Sequence, residues 1–188
     1  MVRDAPAQSQ DPVHPVAVSI TLELVHPRSA AALAKLKAET FVETFAAEND
    51  PVHVEAHLDR AFSPAAVERS LSDERSTTWW LLDDGVPVGF VKVNRGDAQT
   101  EPGLDDGLEV EQIYVRSSHH GQGLGRRLLE HAIQIARAEG SAFTWLGVWE
   151  RNHRAIAVYE RFGFVPFGDH VFLFGDEEQR DVLMRLDL

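Results

Sequence analysis

LEVEQIYVRSSHHGQGLGRRLLEHA, residues 108–132, joins a strand pattern to a helix pattern through a turn rich in glycine. In its first part Leu108 and Val110 alternate with Glu109 and Glu111, so a strand would carry both carboxylates on one face and both aliphatic side chains on the other. From Gly123 onward the spacing becomes helical, with Leu124, Leu128, Ala132 and Ile135 in one stripe and Gly140 as the stop. Between the two, Gly121, Gly123 and Gly125 remove side chains where the chain must turn and where a ligand can come close. Free amides at a helix start, reinforced by the helix dipole and by Arg126 and Arg127, make a cradle for phosphate or pyrophosphate. A tight turn with no ligand would use the same glycines.

Two other phosphate-binding designs fit poorly. A dinucleotide fold places its glycine turn after an early strand, with an acidic residue about 20 positions later. Here the turn comes two-thirds along the chain, and the next strand pattern ends in Gly147, Val148 and Trp149. No Gly-Lys-Ser/Thr follows, which excludes the phosphate loop of NTPases.

Working outward, FTWLGVW (143–149) reads as a strand, 152–162 as a helix, and 164–174 and 181–188 as a final strand pair. Upstream, TTWWLLD and PVGFVKV flank Asp84-Gly85, a strong hairpin signal. Before them come a strand in SITLELV, a helix with Leu33, Leu36, Phe41 and Phe45 on its buried side, and two helices opened by Asp50-Pro51 and Ser63-Pro64. Residues 1–15 lack apolar periodicity and read as a flexible tail, leaving 16–188 as one domain. The order of elements implies an α/β domain with a mixed sheet and helices on both faces.

The net charge of -12 argues against a nucleic-acid partner and suits a cationic substrate, although acidity also serves solubility. There are no cysteines, so thiol nucleophiles and cysteine-ligated zinc are excluded. No apolar run approaches the roughly 20 residues that span a bilayer, and a cytoplasmic location with no membrane partner is expected. His53 and His57 lie one helical turn apart, but Val54 replaces the glutamate of the metalloprotease pattern and no third ligand is evident, so no metal is expected. Asp97, Glu101, Asp105 and Asp106 lie in the loop before the Glu109 strand, as a candidate acidic mouth or a solvated loop.

VEQIYVRSSHHGQGLG together with Asn152, Ala155, Tyr159, Gly163 and Phe164 resembles the two halves of the GNAT (GCN5-related N-acetyltransferase) signature. His120 departs from it, standing where the superfamily has Gln or Arg. The stretch 39–184 is most similar to PaiA-type spermidine/spermine N-acetyltransferases. The resemblance implies the GNAT fold, a mixed, mostly antiparallel sheet of about seven strands with one splayed strand pair. It implies acetyl-coenzyme A as co-substrate, direct attack by an amine, and a polyamine as acceptor, with homodimerisation left open. It places Tyr159 as general acid at the departing thiol, and Ile113, Tyr114 and Val115 along the pantetheine arm. His120, Gly121, Gln122, Gly123, Leu124, Gly125 and Arg126 would surround the diphosphate, and Asn152 would hold the cofactor or simply cap its helix. Glu109 matches the occasional glutamate base of the superfamily, leaving Glu111 to bind a second ammonium; both could equally be solvated or ion-paired. An amino-acid, peptide or drug amine, or a non-catalytic acyl-coenzyme A sensor, are the alternatives.

Overall fold

A computed structural model describes residues 20–174 and 177–188; the expected tail, 1–15, lies outside the described residues. Its strands are β1 (Ile20–Leu24), β2 (Ser76–Asp83), β3 (Val86–Asn94), β4 (Gly107–Val115), β5 (Phe143–Trp149), β6 (Val165–Phe174) and β7 (Glu177–Asp187). They form one sheet in the order β1-β2-β3-β4-β5-β7-β6, antiparallel throughout except where β4 meets β5. The helices are α1 (Ala30–Phe45), α2 (Pro51–Ala61), α3 (Pro64–Leu71), α4 (Leu124–Glu139) and α5 (His153–Arg161).

Local sequence explains most boundaries. Asp84 and Gly85 take φ of 47° and 81°, the left-handed pair that a tight hairpin between β2 and β3 requires. Asp50 and Ser63 accept hydrogen bonds from Val52 N and Ala66 N, and a proline follows each as the first helical residue. Gly140 closes α4 at φ 76°.

The helices cover both faces. Leu128, Leu129 and Ala132 of α4 are fully buried against Val91, Val93, Leu108 and Val110, and α5 packs on the same side through Tyr159. On the other face Leu33, Leu36 and Val67 enclose Phe90. The α4 stripe is wider than its spacing suggests: Ile133 and Ala136 are buried, whereas Ile135 is only partly so. The helix lies across both β3 and β4, so more of its circumference meets the sheet.

The pairing of β4 with β5 is short. Gly107, Leu108 and Glu109 align with Phe143, Thr144 and Trp145, and there the ladder stops. On its other edge β4 carries a bulge: Lys92 pairs Gln112 while Val93 pairs Val110, leaving Glu111 as the extra residue. The added twist turns the far half of β4 away from β5. Where the two strands still pair, Gly107 leaves no room for a side chain, because a Cβ there would overlap the Phe143 ring. Gly107→Ala should therefore lower stability by about 1–3 kcal/mol, read by urea denaturation, as over-packing does.

Candidate active site

Where β4 and β5 part, a cavity of about 760 Å³ opens through the sheet. Val110 to Val115 line one side and Gly147 to Trp149 the other. Among the described residues the β4 edge facing β5 has no strand partner beyond Glu109, nor has the facing β5 edge beyond Trp145. Buried backbone groups need partners. The slot is therefore shaped for an extended molecule that carries amide groups of its own.

At one end of the slot the chain leaves β4 and turns into α4. Gly121 and Gly123 adopt φ of 80° and 77°, and open space surrounds the Cβ position at Gly121, Gly123 and Gly125. His119, His120, Gly121, Gly123, Leu124, Gly125 and Arg126 line this end, whereas Gln122 points to solvent outside the cavity. His120 does not extend as a long side chain would; its Nε2 lies 2.7 Å from Val115 O and fastens the turn to the strand end. Arg154, which the sequence reading passed over, lines the cavity with Nη1 3.4 Å from His120 Nδ1. Asn152 also lines it, while its Oδ1 accepts from Ala155 N at 3.2 Å, so it is a helix cap at the cavity wall.

Tyr159 enters from α5. It is 9% exposed and lines the slot between the two parted strands. Burial pushes its hydroxyl well above the ordinary tyrosine range, so it stays protonated at neutral pH. The Tyr114 hydroxyl is raised too, first by burial and then by the nearby Tyr159, Asp181 and Glu111. Those four groups thus share one neighbourhood.

The carboxylates expected on β4 have different surroundings. Glu109 is 2% exposed and does not line the cavity. It accepts from Asn94 Nδ2 at 2.9 Å, from Thr100 N at 3.0 Å and from the Thr100 hydroxyl, and so anchors the loop between β3 and β4. Burial raises its pKa while these donors pull it down. Glu111 does line the cavity, but Lys92 Nζ holds it at 2.5 Å and Asn94 Nδ2 at 2.6 Å. Beside this pair, Lys37 Nζ donates to Gln112 at 2.7 Å, and burial brings that ammonium down to about 8.

The other end of the cavity is aromatic. Phe41 stacks on His57, while Phe45 meets Tyr114 and Trp149 edge-on at 6.4 and 6.0 Å. Asn49 and Gln179 join across this end through a 2.7 Å hydrogen bond. Asp181 of β7 also faces inward. The acidic loop residues go elsewhere: Asp97 pairs with Arg75, Glu101 lies 2.8 Å from His170 Nδ1, and none of the four lines the cavity. The loop is pulled across the sheet instead, where Gln99 accepts from Trp145 Nε1 at 2.6 Å and Leu104 packs on Trp145. Among the described residues no group of three or more His, Asp or Glu is placed to hold a metal ion.

A sheet split between two parallel strands, with a glycine turn and a helix start at the mouth, defines a class of acyl-group transferases. The acetyltransferase (GNAT) family model matches residues 32–164, and the chain belongs to that family. An N-acetyltransferase of the pepI 3′ region of Lactobacillus delbrueckii subsp. lactis is 35% identical over 147 residues, covering 78% of this chain and 85% of that one. A ribosomal-protein alanine N-acetyltransferase from Escherichia coli is 48% identical over 91 residues, 48% of this chain and 56% of that one. The structure of PaiA N-acetyltransferase from Thermoplasma acidophilum, in complex with coenzyme A, shares the fold at TM-score 0.73 and 18% identity, over 90% of this chain and 99% of that one.

The burial and donors of Glu109 give stability a pH dependence. A carboxyl group whose folded pKa is raised holds its proton longer than in the unfolded chain. Stability from that group is therefore complete below the ordinary glutamate range and declines as pH rises through the raised value. Glu109→Gln should flatten that part of the pH slope. It should also cost about 1–3 kcal/mol, because an amide donor then faces Asn94 and Thr100. Urea denaturation across pH reads both, and coenzyme A affinity by calorimetry should not change.

Proposed function

We infer that this chain transfers the acetyl group of acetyl-coenzyme A to a primary amine, by direct attack with both substrates bound. The observation that carries this reading is the parting of β4 and β5 around Tyr159. The exposed strand edge turns the backbone of Ile113 and the Val115 amide toward the amides of the pantetheine arm, while Tyr114 pairs with β3 and gives the cavity its side chain. The amides at Gly121, Gly123, Leu124 and Gly125, with Arg126 and Arg154, suit the diphosphate. The co-substrate supplies a thioester whose carbonyl carbon is open to attack by a neutral amine.

The chain's own residues then have three tasks. The aromatic end, from Phe41 to Trp149, excludes water and aligns the amine. A carboxylate removes a proton from the incoming ammonium. Tyr159, protonated at neutral pH, holds a proton at its Oη for the departing sulfur. No cysteine exists to form an acyl-enzyme.

The acceptor favoured here is a polyamine, in a cytoplasmic setting. Its support is an aromatic end that carries one uncommitted acid, Asp181, with Glu111 beside it in its pair with Lys92. One end of a polyamine must lose a proton while its other nitrogens stay charged and pair with acids. The relative that acts on a ribosomal-protein alanine favours a second reading, a peptide N-terminus.

A single assay separates these. Acetyl-coenzyme A is incubated with spermidine, spermine, simple monoamines and an Ala-initiated peptide, and thiol release is followed. The polyamines should be acetylated fastest, with a KM that rises with salt, since the Debye length is about 10 Å at 0.1 M. A preference for the peptide would replace the acceptor and keep the transferase; no thiol release with any amine would leave a non-catalytic acyl-coenzyme A sensor. Tyr159→Phe keeps the ring and should lower turnover by about a hundredfold, with little change in coenzyme A affinity.

A further inference from the structure

The reaction needs a carboxylate that is inside the cavity and not already committed. Glu109 is outside the cavity and occupied by Asn94 and Thr100. Glu111 is inside but clasped by Lys92 and Asn94, with a second lysine, Lys37, adding positive charge beside it. An ammonium approaching Glu111 meets a neutralised ion pair.

Asp181 is placed differently. It lies on β7 directly across from Trp149 of β5, the last residue of the strand that forms the slot wall. Its Oδ2 leans over Gly147, 3.6 Å from where a Cβ would stand, so its carboxylate rests on the bare backbone of the slot lip. A side chain at 147 would enter that space. Among the described residues none donates a hydrogen bond to it. Burial raises its pKa, and the charge of His170, its neighbour across β6, works the other way. Its field also reaches the Tyr114 hydroxyl, as does that of Tyr159. The uncommitted acid and the buried phenol therefore line one cavity, both close to the Tyr114 hydroxyl.

We propose that Asp181 is the catalytic residue that takes the proton from the acceptor ammonium, working across the slot from Tyr159; this rests on the acetyltransferase reading given above. The ammonium gives one proton to Asp181, which releases it to solvent. The free amine forms the new C–N bond as the C–S bond breaks. Sulfur takes a proton from Tyr159, and the second proton of the nitrogen restores the phenol through the Tyr114 hydroxyl.

His170 faces Asp181 from β6, beside Glu101; Tyr114 and Glu111 from β4, Tyr159 from α5, Glu43 from α1 and His57 from α2 line the same cavity. The test compares Asp181→Asn, Asp181→Glu and Glu111→Gln with the parent chain, using spermidine and phenethylamine across pH. Asp181 is protonated below its pKa, so kcat/KM in the parent should fall on the acid side. Asp181→Asn should lower kcat by about a hundredfold for any amine the parent acetylates, and abolish the acid limb, while coenzyme A binding persists. Asp181→Glu should restore part of the rate, and Glu111→Gln should keep the acid limb. A limb that vanishes in Glu111→Gln, or an Asp181→Asn variant within about threefold of the parent kcat, overturns the assignment. Carbon-13 titration of labelled aspartate decides the point without turnover, and so apart from the choice of acceptor. The resonance missing in Asp181→Asn should titrate above the ordinary aspartate range and shift when either amine is added. A resonance in the ordinary range that ignores both amines also overturns it.

Discussion

At Glu111 strand β4 takes one residue more than β3 opposite it, and the rest of the site depends on that extra residue. A regular strand would continue its ladder with β5 past Glu109 and close the sheet. The bulge instead ends the pairing after Trp145, and two backbone edges are left facing an open slot. Such edges are costly unless something satisfies them, and a ligand with its own amides does so. The same bulge rotates the following residues, so that Gln112 reaches toward Lys37 on α1 while Tyr114 stacks on Phe90 and looks into the cavity. Strand geometry and chemical function therefore share one cause.

Charge in the site follows from which acids are neutralised by the fold. The formal charge of -12 suggests a strongly acidic mouth, but little of that acidity faces the cavity. Glu109 secures a loop, Glu111 is paired, Asp97 meets Arg75 and Glu101 meets His170. At the glycine turn Arg154, and Arg126 beside its partner Glu130, put positive charge at the cavity end instead. A polarised cavity results, cationic where a diphosphate would lie and aromatic with one uncommitted acid where an amine would enter.

Much of this was legible in the residues themselves. The seven strands and five helices follow from alternation, helical spacing, Asp84-Gly85 and the two capped prolines. Glu109 and Glu111 do share a face, and Tyr159 and the glycine turn do meet at one cavity. What could not be read was register. Asp181 opens a plain strand pattern, and nothing in the sequence says that it stands across from Trp149. The bulge left only a faint trace, the polar pair Glu111-Gln112 that breaks the alternation of LEVEQIYV, and such a pair does not by itself announce an extra residue. Sequence also ranks Glu109 and Glu111 by family position, whereas their partners, Thr100 in a loop and Lys92 on another strand, come together only in the fold. Arg154 sits two residues past Asn152 and could have been found by asking which α5 side chains point back toward His120.

The parted strands and the glycine turn should together hold coenzyme A. Amide hydrogen exchange, measured with and without coenzyme A, tests it at single-residue level. Bound coenzyme A should slow exchange at Ile113, Val115, Gly123, Leu124 and Gly125, with β1 and β2 unchanged. Protection absent from those amides at saturating coenzyme A, or confined to another part of the sheet, would contradict it.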